Sequence, residues 1–182
     1  MASRSPRRRQ LLSAAGYRFQ VADPAIEEAL RDSEPAESAA VRLARAKARA
    51  AARGRTAVRI LAADTLVSVG GKVLGKPSGP ADARRMLRLL SGRTHRVVTG
   101  VALLEPRSSR IRTGLSVTRV AFKRLTRAEI EWYLASGEPG GKAGAYAIQG
   151  RASLFVTSLR GSYTNVVGLP LEVVRRLLGL PA

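Results

Sequence analysis

Val58-Arg59-Ile60-Leu61-Ala62-Ala63-Asp64-Thr65-Leu66-Val67-Ser68-Val69-Gly70-Gly71-Lys72-Val73-Leu74-Gly75-Lys76 carries a buried strand, a polar tip and a hairpin in succession. Val58 to Ala63 is a short apolar run of the kind that fills the middle of a sheet. It ends in Asp64-Thr65, and open α/β sheets place their chemistry at the carboxyl ends of such strands. Leu66–Val69 and Lys72–Leu74 flank Gly70-Gly71, a two-residue hairpin signal. Ideal pairing about that turn sets Thr65 opposite Lys76, so Asp64 and Lys76 fall within one residue of each other. Parity puts Lys76 on the face of Thr65, and a bulge would be needed to turn it towards Asp64.

Upstream, Glu37 to Arg53 reads as a helix rich in alanine and free of Gly and Pro. Arg42, Arg45, Arg49 and Arg53 gather on one side of its helical wheel, the expected solvent face. Lys47 falls with Leu43, Ala40 and Ala51 instead. A lysine on the buried stripe either snorkels or points into a site. Further upstream, Ser3-Arg4-Ser5-Pro6-Arg7-Arg8-Arg9 opens a helix, with Ser5 suited to the N-cap and Pro6 to the first turn. Positive charge is unfavourable at that end of a helix. Either an anion such as phosphate sits there, or the segment is a solvated basic tail.

Downstream, Ala81 to Leu90 is helical and closed by Gly92. Strands are expected around Arg96–Leu104 and Leu115–Phe122. Thr126 and Glu129 form a capping box for a helix that stops at Gly137. Glycines crowd Gly137 to Gly150 around Lys142 and Gln149. Leu154–Leu159 and Tyr163–Val167 read as strands about an Arg-Gly turn, and Leu171–Leu178 as a final helix. This order indicates an α/β protein with a mixed sheet.

The 182 residues suit a single domain spanning 1–182, with 45% hydrophobic content that fits a globular core. No apolar run is long enough to span a bilayer and no signal peptide is visible, so a cytoplasmic location with no membrane partner is expected. With no cysteine, disulfides, thiolate metal sites and a cysteine nucleophile are excluded. Thirty-two bases against 13 acids give a formal net charge of +19, and only five of the bases are lysine. Such a surface attracts polyanions, nucleic acid included, without reading sequence. Aromatics at 4% leave few residues for stacking bases.

The polar residues in odd places are Ser3, Ser5, Arg7, Arg8, Lys47, Asp64, Lys76, Lys142 and Gln149, with Glu28 in the acidic pair after Ile26. Several cations, one or two carboxylates and no cysteine suit phosphoanhydride hydrolysis with a divalent ion. The single histidine, His95, sits at a strand entrance and is not expected to be catalytic.

The strings SRSPRRRQLL, RLARAKA, AADT, LGKP, LSGRTHRVVTGVAL, GEPGGKAGAYAIQG and GSYTNVVGLPL occur in this order. Together they resemble the Maf family of nucleoside triphosphate pyrophosphatases over almost the whole chain. That resemblance implies an elongated α/β mixed-sheet fold, two lobes around a central cleft, related to the inosine triphosphate pyrophosphatases. It also implies a homodimer that uses Mg²⁺ or Mn²⁺ to cut a nucleoside triphosphate into the monophosphate and pyrophosphate. By position, Asp64 matches the family's catalytic carboxylate, and Ser5, Arg8, Lys47, Lys76 and Lys142 its phosphate-handling residues. Glu28 matches an acidic metal-site position, with Asp64 as its partner at the metal. Arg7, Thr65 and Gln149 match the specificity markers and resemble the dTTP/UTP branch, as distinct from the branch acting on 7-methyl-GTP.

Two departures stand out. Gly141 occupies a position where the family pattern has aspartate beside the lysine, and Ala147 replaces a glycine in the same string. Loss of that acid is expected to weaken metal binding or shift substrate range. The apolar residues that relatives carry before the first serine are represented only by Met1 and Ala2, so the first strand is expected to be truncated or to begin upstream. An alternative reading is a basic nucleic-acid-binding or regulatory protein that keeps the fold and has lost the activity.

Overall fold

The computed structural model describes residues 1–53, 57–107 and 110–180. Its elements are α1 (Pro6–Ala14), α2 (Ala36–Ala52), β1 (Ile60–Val69), β2 (Lys72–Leu74), α3 (Pro80–Leu90), β3 (Thr94–Leu104), β4 (Ile111–Phe122), α4 (Arg127–Ala135), β5 (Val156–Arg160), α5 (Tyr163–Val167) and α6 (Leu171–Leu178). Short 3₁₀ turns at Ala143–Ala145 and Arg151–Phe155 precede β5. The five strands form one antiparallel sheet in the order β2-β1-β3-β4-β5. A parallel component comes from Ala2, which bridges both Ala22 and Ala62. The Ala2 amide donates to the Leu61 carbonyl at 2.7 Å, so Met1-Ala2 does the work of a first strand at the side of β1.

The chain divides into two compact units. The first comprises Met1–Thr65, Thr99–Ser116 and Gly168–Ala182, and the second Leu66–Val98 and Val117–Val167. In the first unit the period-two alternation of strands sorts side chains onto two faces. Ile60, Ala62, Ala102 and Leu104 pack against Ala44, Ala48 and Ala51 of α2. Leu61, Ala63, Val101 and Leu103 pack against Leu12 of α1 and against Val173, Val174 and Leu177 of α6. Both faces are covered, which explains why β1 is apolar almost throughout. The small side chains of α2 allow a close approach, closest at Gly100. A Cβ there would lie 2.4 Å from the Ala40 carbonyl carbon.

The second unit has its own core. Val67, Leu74, Met86, Leu87, Leu90, Val97, Val120 and Phe122 join Ile130, Tyr133, Tyr146 and Phe155. The hairpin register is the expected one, Val67 opposite Leu74 and Val69 opposite Lys72, and Gly70 and Gly71 supply the positive φ its turn requires. The capping box of α4 is complete, with Thr126 and Glu129 bonding each other's backbone amides.

Two readings need correction. The apolar run does not end at Asp64-Thr65: β1 continues unbroken to Val69, so Asp64 lies within a strand and not at its tip. Tyr163–Val167 is helical, not a strand. The Ser162 hydroxyl accepts from the Asn165 amide and so caps that helix, while Asn165 donates to the Val97 carbonyl at 3.0 Å and to Thr118 Oγ1 at 2.8 Å. A serine cap with buried partners for asparagine outweighs the strand preference of the β-branched residues there.

Candidate active site

Lys47 and Asp64 meet because both face the same side of the first unit. Asp64 has the parity of Ala62 and Ile60, the residues that touch α2, and Lys47 lies on the stripe of α2 that covers them. Both are buried, at 5% and 4% exposure. Lys47 Nζ donates to Asp64 Oδ1 at 2.5 Å and pairs with Glu28 Oε1 at 2.6 Å. One ammonium thus draws two carboxylates to a single point. Lys47 is thus buried and ion-paired with two acids, and snorkelling does not describe it.

Glu28 stands on the long connection between α1 and α2. Arg42 ties that connection down, its guanidinium reaching Glu34 at 2.8 and 2.5 Å and the Ala29 carbonyl at 3.1 Å. Hydrogen bonding from Glu34 raises the Arg42 pKa, and Arg42 in turn lowers that of Glu34. Sequence reading left Arg42 on the solvent face. Its spacing from Glu34 crosses the helix start, where no helical periodicity relates the two, so only the folded connection reveals the pair.

Arg8 is held by protein acceptors on three sides. All three guanidinium nitrogens donate to protein acceptors: Nε to the Gly168 carbonyl at 2.7 Å, Nη1 to the Ala63 carbonyl at 2.8 Å and Nη2 to Thr65 Oγ1 at 2.9 Å. Burial pulls its pKa below the ordinary arginine value, and the negative charges of Asp64 and Glu28 partly offset this. Thr65 Oγ1 also lies 2.9 Å from Thr99 Oγ1, so its hydroxyl too is engaged by protein. Ser5 caps α1, its hydroxyl accepting from the Arg8 amide. Arg7 is the second residue of α1 and partly buried.

Lys76, Lys142 and Gln149 belong to the second unit. Lys76 is exposed just beyond β2, and the Gly75 carbonyl before it accepts from the Gly144 amide at 3.0 Å. That bond brings the segments of Lys76 and Lys142 together. Lys142 Nζ donates to the Gly140 carbonyl at 3.1 Å, and Gln149 is exposed. His95 is buried in the core of the same unit, its Nε2 2.8 Å from the Tyr146 hydroxyl, and burial pushes its pKa down to about 4. Tyr146 begins the short run leading to Gln149.

Among the described residues no cluster of three or more His, Cys, Asp or Glu is arranged to hold a metal. The Glu28–Asp64 pair nonetheless fits Mg²⁺, which is commonly held by one or two carboxylates with substrate phosphates and water completing its shell. No helix among the described residues is long and apolar enough to cross a membrane.

Residues 1–180 match the family model described as Maf-like protein. The chain is 48% identical to a dTTP/UTP pyrophosphatase of Alkalilimnicola ehrlichii, covering 98% of this chain and 90% of that protein. It is 49% identical to a dTTP/UTP pyrophosphatase of Moorella thermoacetica, covering 99% and 93%. A protein of the same name from Sphingopyxis alaskensis is 51% identical, covering 100% and 96%.

Proposed function

The chain belongs to the Maf family, and from that membership we propose that it is a nucleoside triphosphate pyrophosphatase that hydrolyses dTTP and UTP to the monophosphate and pyrophosphate. The observation that carries the proposal is Lys47, buried between Asp64 and Glu28 at 2.5 and 2.6 Å. A buried carboxylate can hold a water and take its proton, and a buried ammonium beside it can neutralise phosphoryl charge that grows during the reaction.

In this reading water attacks the α-phosphorus, Asp64 orients it and accepts its proton, and pyrophosphate leaves. Lys47, Lys76, Lys142 and Ser5 neutralise or bond the phosphates, and Gln149 and Arg7 select the base. The Gln149 amide suits a pyrimidine dione, because it can donate to a base-edge oxygen and accept from the ring N–H. Glu28 and Asp64 would hold Mg²⁺ or Mn²⁺, which supplies further neutralisation of phosphate charge. A homodimer in the cytoplasm completes the proposal, and sedimentation of the purified protein checks the oligomeric state.

The deciding experiment is pyrophosphate release from a panel of canonical and modified triphosphates, with and without Mg²⁺. Turnover of dTTP and UTP that requires the ion is the expected result. Preference for modified pyrimidine nucleotides would redirect the assignment to a house-cleaning role. The net charge of +19 favours one other reading, a nucleic-acid-binding protein without activity, and absence of any turnover would select it.

A further inference from the structure

We propose that Glu138 is a positioning residue for base selection: together with the Tyr133 hydroxyl it clamps the loop that presents Gln149. An exposed amide on a loop discriminates between bases only if the backbone beneath it is fixed. Two residues before Gln149, the Ala147 amide donates to the Tyr133 hydroxyl at 3.3 Å. Two residues after it, the Arg151 amide donates to the two Glu138 carboxylate oxygens at 3.3 and 3.2 Å. Both acceptors come from the end of α4 and the turn that follows it. Ser136 ties that turn to the helix, its hydroxyl donating to the Tyr133 carbonyl at 2.6 Å and accepting from the Glu138 amide at 3.2 Å. Tyr133 itself is fully buried, so the clamp is anchored in the core of the second unit.

The loop backbone is shaped to the carboxylate. Gly150 has a φ of +94°, a left-handed value that favours glycine, and a Cβ there would come within 2.8 Å of Glu138 Oε2. The Arg151 guanidinium adds a further hold, lying 5.3 Å from the centre of the Trp132 ring on α4. Its Nε is 4.0 Å from Glu138 Oε1, so the closer work of the carboxylate is done on the backbone. Fixing this loop matters for the chemistry of Gln149. Its amide can donate to a base-edge oxygen and accept from the ring N–H of uracil or thymine. Turned over, the same amide matches cytosine, which carries an amino group and a bare ring nitrogen there. A loosened loop therefore lets Gln149 meet the wrong base.

The inference rests on the pyrophosphatase reading, and the test separates the two. In the full-length protein, kcat/KM for dTTP and dCTP and inhibition by inorganic pyrophosphate are measured for Glu138→Ala, Glu138→Gln, Gln149→Ala and the double variant. Discrimination by hydrogen bonds needs partners held in place, so Glu138→Ala is expected to lower the dTTP/dCTP ratio of kcat/KM about tenfold. Pyrophosphate has no base, and its inhibition is expected to stay within about threefold of wild type. Glu138→Gln keeps an acceptor for the Arg151 amide and should hold the ratio within about threefold of wild type. Added to Gln149→Ala, Glu138→Ala should move the ratio by less than about twofold, since its effect runs through Gln149. An unchanged ratio in Glu138→Ala, or independent losses in the double variant, overturns the proposal. An equal loss for dTTP, dCTP and pyrophosphate does the same, because it marks general damage to the unit. If Glu138→Ala does not fold, Tyr133→Phe removes only the hydroxyl at the other end of the loop, and the ratio must fall there. If the wild-type protein releases no pyrophosphate, or Gln149→Ala leaves the ratio unchanged, the activity or the base-reading role of Gln149 fails instead. The clamp is then read from hydrogen exchange: the Arg151 amide must exchange about tenfold faster in Glu138→Ala than in wild type, and equal rates overturn it.

Discussion

At Lys47 one ammonium serves two carboxylates that depend on it unequally. The Asp64 side chain is 5% exposed, while that of Glu28 keeps 32% of its surface in solvent. Removing the cation strands the buried acid, so Lys47→Met is expected to cost about 3–5 kcal/mol of stability. A divalent ion at the same two carboxylates should recover part of that loss. Thermal unfolding with and without Mg²⁺ checks this, and a variant that gains no more from the ion than wild type would argue against Glu28 and Asp64 as its ligands. Asp64→Asn keeps a hydrogen-bonding side chain while removing the base. Turnover is expected to fall by orders of magnitude with the fold retained, and near-wild-type pyrophosphate release would remove Asp64 from its role. Lys76→Ala should raise KM and lower kcat together under the proposed role, in which Lys76 binds phosphate charge that grows in the transition state.

Between elements, the crossing of α2 and β3 is set by two small residues. Gly100 gives α2 its approach at Ala40, and no flexible side chain is available there to move aside. Gly100→Ala is expected to cost about 3 kcal/mol, a fall of about 10 °C in Tm, because backbone must shift. β3 also carries His95, whose folded pKa lies at about 4 against 6.5 for the ordinary group, with desolvation as the main cause. Between those pH values the unfolded chain binds the extra proton, so stability falls as pH drops through the window. The loss attributable to His95 approaches about 3 kcal/mol below pH 4. Denaturant unfolding at pH 7 and pH 4 is expected to show that component in wild type and not in His95→Gln. Glu129, held down at about 2 by Lys123 and Thr126, also loses its contribution as pH falls from its ordinary 4.5, so the His95 component is the difference between wild type and His95→Gln.

At the scale of the molecule, the excess of arginine acts through its field and not through any one contact. Arg45 and Arg49 lie exposed on α2, on the side away from the buried stripe. Binding to duplex DNA or heparin is expected to be non-specific, with log K falling by roughly 0.9 per phosphate contact per log unit of salt. Asp64→Asn should leave that binding unchanged while abolishing turnover. Loss of both together would tie the polyanion surface to the catalytic centre and undo the separation between charge and chemistry.

The helices, the hairpin register and the capping box were legible in the chain because each rests on contacts between near neighbours: a Gly-Gly turn, a Thr-x-x-Glu spacing, a stripe of alanines. Lys47 and Asp64 could be singled out because each is a charged residue at a position whose periodicity demands burial. Tyr163–Val167 was misread because its β-branched residues alternate like a strand, while the buried partners of Asn165 come from β3 and β4. The partners of Arg42 and Arg8 were beyond reach for the same reason, since a guanidinium on a surface-looking helix does not announce which distant carbonyl or carboxylate will receive it. Sequence alone determined the element pattern and the charged residues placed where burial is expected. Tertiary structure decided their partners, because hydrogen bonds between residues far apart in the chain are selected only when packing fixes which faces meet.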